Sequence, residues 1–498
     1  MALLLGSLRM RRVAGFVSLR SSVIVAAASS FAYGQNPGAG APETAQAPAA
    51  SRIAEGDAGA AEDSKQAESG SSLVDKLQWP EPRRQELLRN EFKELPTTLL
   101  VDRERTALVE MARGQGAFDA ALIRKYVNSY AAELTKHVNI AAMLGTDSTA
   151  RNQKAMDEAA GRLLQPLLEP ATAANATFRR EYANALLAQA PALLQGHMLT
   201  RTFYMVVLSR AGSEDLVPLL IEQVRDPEQT YMVKLLAAVG LTNISQNGRK
   251  PPEASSRAIP AAKAIADFLR VAPPDAPWPV VCRNLEALGS LRQSAGNPLS
   301  GQADIADVAF ELLSRRDVDP QVRIWAGWAL SRLQYPATVR DLNLDTVAYL
   351  LSETAVYLSE QATQIPLKGG NLARNQRLVA RVAESLLRIL ESFTGTSEIR
   401  GSGLTPLSRE SAYVRALEQR VRAVASNCLD LSQAVGTQAE PTRKALAESA
   451  LQLRTYLQQN PPKGHLFYAG GPEMAIFDAE AGTEKAPSAP DGEVAGAR

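Results

Sequence analysis

Histidine and cysteine are scarce, at three and two copies in 498 residues. His137, His197 and His465 are scattered with no HExxH spacing, and Cys282 and Cys428 form no CxxC and sit near no histidine. Zinc sites and dithiol redox sites need such clusters, so no metal or other cofactor is expected. Both thiols read as small apolar residues within helices, and one long-range disulfide is the alternative. The chain also lacks GxSxG, GxxxxGK[ST] and a strand-followed GxGxxG, which removes the structural parts of acyl-transfer and nucleotide-phosphate chemistry. A formal charge of +1 provides no global field to draw nucleic acid or an anionic membrane. Aromatics are sparse at 5%, and Val, Ile and Thr rarely alternate with polar residues, whereas Ala and Leu abound. That mixture predicts an all-α chain. Its length exceeds one compact core and implies two or three domains or one elongated array.

Long apolar runs are missing too, apart from the short "SSVIVAAASSFAYG" that follows Arg9, Arg11, Arg12 and Arg20. With no acid before Glu43, residues 1–34 read as a secretory signal cut near Gln35, too short to span a bilayer comfortably. The predicted location is therefore periplasmic or secreted, with no transmembrane helix in the mature chain. An uncleaved membrane anchor and an organelle transit peptide are the rival readings. Residues 35–75 are Ala-, Gly- and Pro-rich, lacking the apolar side chains that offset chain entropy, and read as a disordered spacer.

In "VRIWAGWALSRL", Val322, Trp325, Ala326, Ala329, Leu330 and Leu333 share one helical face, with Asp319 placed to cap and Pro320 in the first turn. "VKLLAAVGLTNI" from Val233 repeats the pattern: Lys234 matches Arg323, Ala237 matches Ala326 and Leu241 matches Leu330. "VVCRNLEALGSL" from Val280 keeps Val280, Leu288 and Leu291, but has Val281 for the basic residue and Asn284 for the small one. Each follows a shorter amphipathic helix ("LVPLLIEQVRD", "AAKAIADFLRV", "ADVAFELLSRRD"), giving two helices per unit and a period in the forties.

An Asp in the turn, Val-Arg or Val-Lys opening the second helix, then small residues and a Leu resemble the HEAT/armadillo-like repeat family over residues 196–335. The resemblance implies an α-solenoid, in which second-layer helices are sandwiched between neighbours and bind partners along their outer surface. The expected order is an N-terminal helical region at 76–195, a solenoid of HEAT-like helix pairs at 196–366, a helical C-terminal cap at 367–460, and a tail at 461–498. "KGHLFYAGGPEMAIFD" opens that tail and, with Leu466, Phe467, Tyr468, Ile476 and Phe477, should dock on the helical body or serve a partner.

The predicted function is a non-catalytic scaffold that binds an unknown protein or peptide along this surface. A polymer-degrading hydrolase or lyase on a helical superstructure is the second reading. Nucleic-acid or anionic-ligand binding is the third, although no nucleic acid is expected. The candidate binding residues are Arg283, Arg323, Arg332 and Trp328 on the second helices, with Lys234 and Arg323 alternatively bracing the turns. Trp325, on the core stripe, is expected to pack and Trp328 to be the more exposed. Arg332 is expected on the surface, reversible in charge without loss of stability. A further face carries Arg374, Arg377, Arg381 and Arg388 within about 60° of one another, read either as a basic face for a phosphate, an acidic polymer or an acidic partner or as a solvated face whose arginines pair with Glu384 and Glu391.

Overall fold

The computed structural model describes residues 92–144, 154–169, 172, 175–247, 256–273, 276–367, 371–397, 399, 401–409, 411–434 and 436–474. The expected leader and spacer at 1–75 and the tail beyond Met474 lie outside them. The described chain is all-helical, as the composition predicts, and divides into two compact units, 1–207 and 208–498.

The first unit holds α1 (Asp102–Ala112), α2 (Ala120–Glu133), α3 (His137–Leu144), α4 (Ala155–Leu168), α5 (Ala176–Leu194) and most of α6 (Met198–Ala211). The apparently continuous apolar pattern from Asp119 to Leu144 is broken between α2 and α3. There the Thr135 hydroxyl donates to Ala132 O and accepts from Leu95 N–H, replacing helical hydrogen bonds. Asp119 caps α2 by accepting from Ala121 and Leu122 N–H. Buried tyrosines stitch the helices: Tyr126 donates to Arg162 O, Tyr182 to Leu163 O and Tyr204 to Leu186 O. His197 is buried, its Nδ1 accepting from Leu199 N–H while Nε2 has no partner.

The second unit runs through α7 (Val217–Arg225), α8 (Tyr231–Asn247), α9 (Ala258–Val271), α10 (Trp278–Leu291), α11 (Asp304–Ser314), α12 (Pro320–Leu330), α13 (Leu344–Gln364), α14 (Leu372–Thr394), the single turn α15 (Leu404–Leu407), α16 (Ala412–Gln433) and α17 (Ala439–Gln459). α7 packs on α8, α9 on α10, α11 on α12 and α13 on α14. The first members touch in sequence, and so do the second members.

Asp319 caps α12 from its predicted place, accepting from Gln321 N–H. Close approach between second helices is bought with glycine. A Cβ on Gly289 of α10 would lie 2.7 Å from Trp328 Cζ3 and 3.0 Å from Ala329 Cα. Gly327 allows the same approach to a first helix, where a Cβ would collide with Leu351 Cδ2 of α13.

α12 and α14 run parallel: Gln321 donates to Ser385, Trp325 meets Arg388, and Arg332 meets Glu391. α14 and α16 run antiparallel, with Gln376 donating to Ala434 O and Cys428 against Val379 O. α17 then returns to pack on α13 and α16. The final pair thus enters in the reverse order from the pairs before it. Cys282 and Cys428 are both free and buried, and burial pushes the Cys428 thiol up to about 12.

After α17 the chain returns to the body. Phe467 is fully buried, stacked on Phe310 with centroids 4.5 Å apart and set edge-on to Tyr335 at 6.1 Å. Its backbone accepts from Asn343 N–H at 2.7 Å, and Ala469 N–H donates to Arg340 O at 3.1 Å. The Tyr468 hydroxyl donates to Asp307 Oδ2 at 2.9 Å. Burial raises the Asp307 carboxyl to about 6, outweighing that hydrogen bond.

Candidate functional site

The basic residue that opens a second helix points inward. Lys234 Nζ donates to Val224 O and Asp226 O at the end of α7, and Arg323 Nε donates to Leu313 O at the end of α11. Each side chain satisfies carbonyls that a helix C-terminus leaves without partners. Arg323 is buried, pairs with Glu353 at 2.9 Å, and has its pKa pulled down by burial against the pull of Glu353. Its assignment as a binding residue is therefore corrected to the brace named as the alternative. In the third copy Val281 supplies no brace, and Asn284 turns onto its own helix, donating to Val280 O.

The tryptophan pair is also reversed from expectation. Trp328 is buried and Trp325 is half-exposed, their rings edge to face at 5.1 Å. α10 fills the space around Trp328 at Gly289, whereas Trp325 emerges at the seam between α12 and α14. The Arg388 guanidinium, from α14, lies 4.0 Å from the Trp325 ring centre. Arg332, expected on the surface, is 2% exposed. It lies just beyond the end of α12, its guanidinium 3.6 Å from the Trp328 ring centre and 2.8 Å from Glu391. Burial lowers its pKa to about 10 even though Glu391 opposes the shift. Arg332 is thus a pillar under the site rather than a contact on it.

Around this pillar the structure brings α10, α12 and α14 together. Arg283 on α10 is exposed and pairs with Glu286. Burial lowers the Arg388 pKa, Glu391 and Glu286 push it back up, and Arg283 opposes them. Arg374, Arg377 and Arg381 continue along α14 and are exposed. On the opposite side of this helix Leu386 and Ile389 are buried, Val379 lies in the core with Ala383, and Leu378 is 38% exposed.

A half-buried indole stacked by one guanidinium over a fixed, ion-paired base is suited to holding another molecule by contact, since Trp and Arg dominate binding energy at protein interfaces. Pattern reading missed Trp325 and Glu286 as parts of this site, and it offered Glu391 as a partner for the α14 arginines rather than for Arg332. The only local signal was the spacing of three and then four residues from Arg381 through Glu384 to Arg388, which does not reveal the neighbouring helix.

A separate depression of about 780 Å³ lies among the loops before α13 and α16, lined by Tyr335, Asp341, Asp345, Arg409, Ser411 and Lys463. Asp341 and Arg409 hold left-handed backbone there, with φ of 56° and 52°. Ser411 already donates to Asp345 at 3.1 Å. Among the described residues no group of three His, Cys, Asp or Glu is placed to hold a metal ion, and no helix is long and apolar enough to cross a membrane. Comparison of the chain with family models, curated proteins and solved structures finds no match.

Proposed function

We propose that helices α7 to α14 form an α-solenoid of HEAT-like pairs, and that the chain is a non-catalytic scaffold holding a protein or peptide on the outer surface of its second helices. One observation carries this reading: Trp325 stands half-buried at the α12–α14 seam, stacked by Arg388 and underpinned by the buried Trp328 and Arg332, the latter paired with the partly open Glu391. Large aromatic surface at low conformational cost, held rigid from below, is what a binding hot spot requires. The sequential packing of first members on first members and second on second supports the solenoid. The leader at 1–34 supports a place of action outside the cytoplasm.

The test is photo-crosslinking in the native host, with the reactive side chain placed at Arg381 on α14 or, as control, at the exposed Tyr357 on α13. A discrete partner should be captured at the first position and not at the second. Its purified form should bind the full chain and lose roughly tenfold or more in affinity on Trp325→Ala. Equal capture at both positions, or unchanged affinity in a folded Trp325→Ala chain, overturns the reading.

A further inference from the structure

Several exposed arginines elsewhere in the second unit have acids to hold: Arg270 pairs with Asp267, Arg315 with Asp317 and Arg422 with Glu418. Arg374, Arg377 and Arg381 do not. All three are exposed on one face of α14, and among the described residues none of their guanidiniums has an ion pair, hydrogen bond or ring partner. Two acids lie on the same face. Glu391 is engaged by the buried Arg332, and Glu384 is exposed and pairs with neither Arg381 nor Arg388. Like charges three and four residues apart on a helix repel, so the strip costs some helix stability when bare. From Arg374 to Arg388 it extends about 21 Å at 1.5 Å per residue, ending on the half-exposed Trp325.

We propose that this strip is the docking site for an acidic peptide segment of a protein partner, its carboxylates on Arg374, Arg377 and Arg381 and an apolar side chain against Trp325. The proposal rests on the scaffold reading above and adds the chemistry of the partner. Planar guanidiniums match carboxylates in bidentate pairs, and one helix face offers them in a single line. Nucleic acid is disfavoured by the exposed Glu384 within the strip and by the chain's net charge of +1, which supplies no wider field for phosphates.

The test uses the full chain and fluorescence anisotropy at low salt. The probe is a labelled peptide with glutamates spaced three apart and one phenylalanine; controls are its glutamine counterpart and an oligothymidylate of matched charge. Saturable binding of the glutamate peptide is expected, at least tenfold weaker for the glutamine peptide and for the combined variant Arg374→Gln, Arg377→Gln, Arg381→Gln. That variant should melt no lower than the wild type, because self-repulsion is relieved. Equal binding of the two peptides, unchanged affinity in the variant, or tighter binding of the oligonucleotide overturns the assignment. The crosslinked partner separates the two readings. A partner lost with Trp325→Ala but kept by the triple variant refutes the acidic segment alone, whereas one kept by both refutes the scaffold surface as well.

Discussion

Charge reversal at Arg332 should destabilise the second unit rather than leave it intact. The side chain is 2% exposed, so a carboxylate there cannot reach water without displacing Trp328. Arg332→Glu loses the 2.8 Å ion pair and sets two like charges together. Glu391 keeps 37% of its surface open, so the pair counts at the low end for a broken buried ion pair, about 2–3 kcal/mol. Loss of the contact over Trp328 adds about 1–2 kcal/mol. The expected total of about 3–5 kcal/mol corresponds to a fall in melting temperature of roughly 6–20 °C for a unit of this size. Arg332→Met keeps an apolar stem against Trp328 and leaves Glu391 free to turn to solvent, so it should cost only about 1–2 kcal/mol. Arg283→Glu, at an exposed site, should stay within about 1 kcal/mol of wild type. Calorimetry and urea denaturation followed by tryptophan fluorescence read all three. Arg332→Glu within about 0.5 kcal/mol of wild type, or no worse than Arg283→Glu, refutes the buried placement.

Two further outcomes are expected. Gly289→Ala gains up to about 1 kcal/mol of helix propensity but forces a Cβ against Trp328 and the Ala329 backbone, an overpacking cost of about 1–3 kcal/mol, so urea denaturation should show net loss; a net gain would mean that α10 and α12 are not so closely seated. Burial holds the His197 imidazole down at about 4, against an unfolded value near 6.5. The unfolded chain therefore binds the proton first, and stability should fall as pH drops from about 6.5 to 4, by an amount approaching 3 kcal/mol. His197→Asn, whose amide oxygen can still accept from Leu199 N–H, should flatten that slope, and persistence of the slope would locate the titration elsewhere.

What the sequence made legible was whatever is local. The capping Asp319, the stripe through Val322, Ala326 and Leu330, and the repeat of that stripe at Val233 all depend on residues within a few turns. The misplaced residues depend on distant partners. Arg332 falls beyond the last turn of α12, so no helical wheel governs its direction; Glu391, in a different helix, does. Trp325 shares the apolar stripe, but the stripe is wider than the surface α10 and α14 cover, and its edge is where Trp325 emerges. The aromatic density of the tail was visible, whereas Phe310, on which Phe467 stacks, carried no sign of its partner.

That last contact reaches into the history of each newly made chain. Asp307 and Tyr468 are separated by 161 residues, and Phe310 and Phe467 by nearly as many. At roughly 5–20 residues per second, the slot beside Phe310 stays open for about 8–30 s after α11 has been synthesised. Pairing of α11 with α12 and α13 can proceed in that interval, but its aromatic seat is filled only when almost the whole chain exists. A chain that ends before Phe467 never fills it. The uncovered ring of Phe310 then marks an unfinished product, exposing to proteases and chaperones an apolar surface that a completed chain conceals.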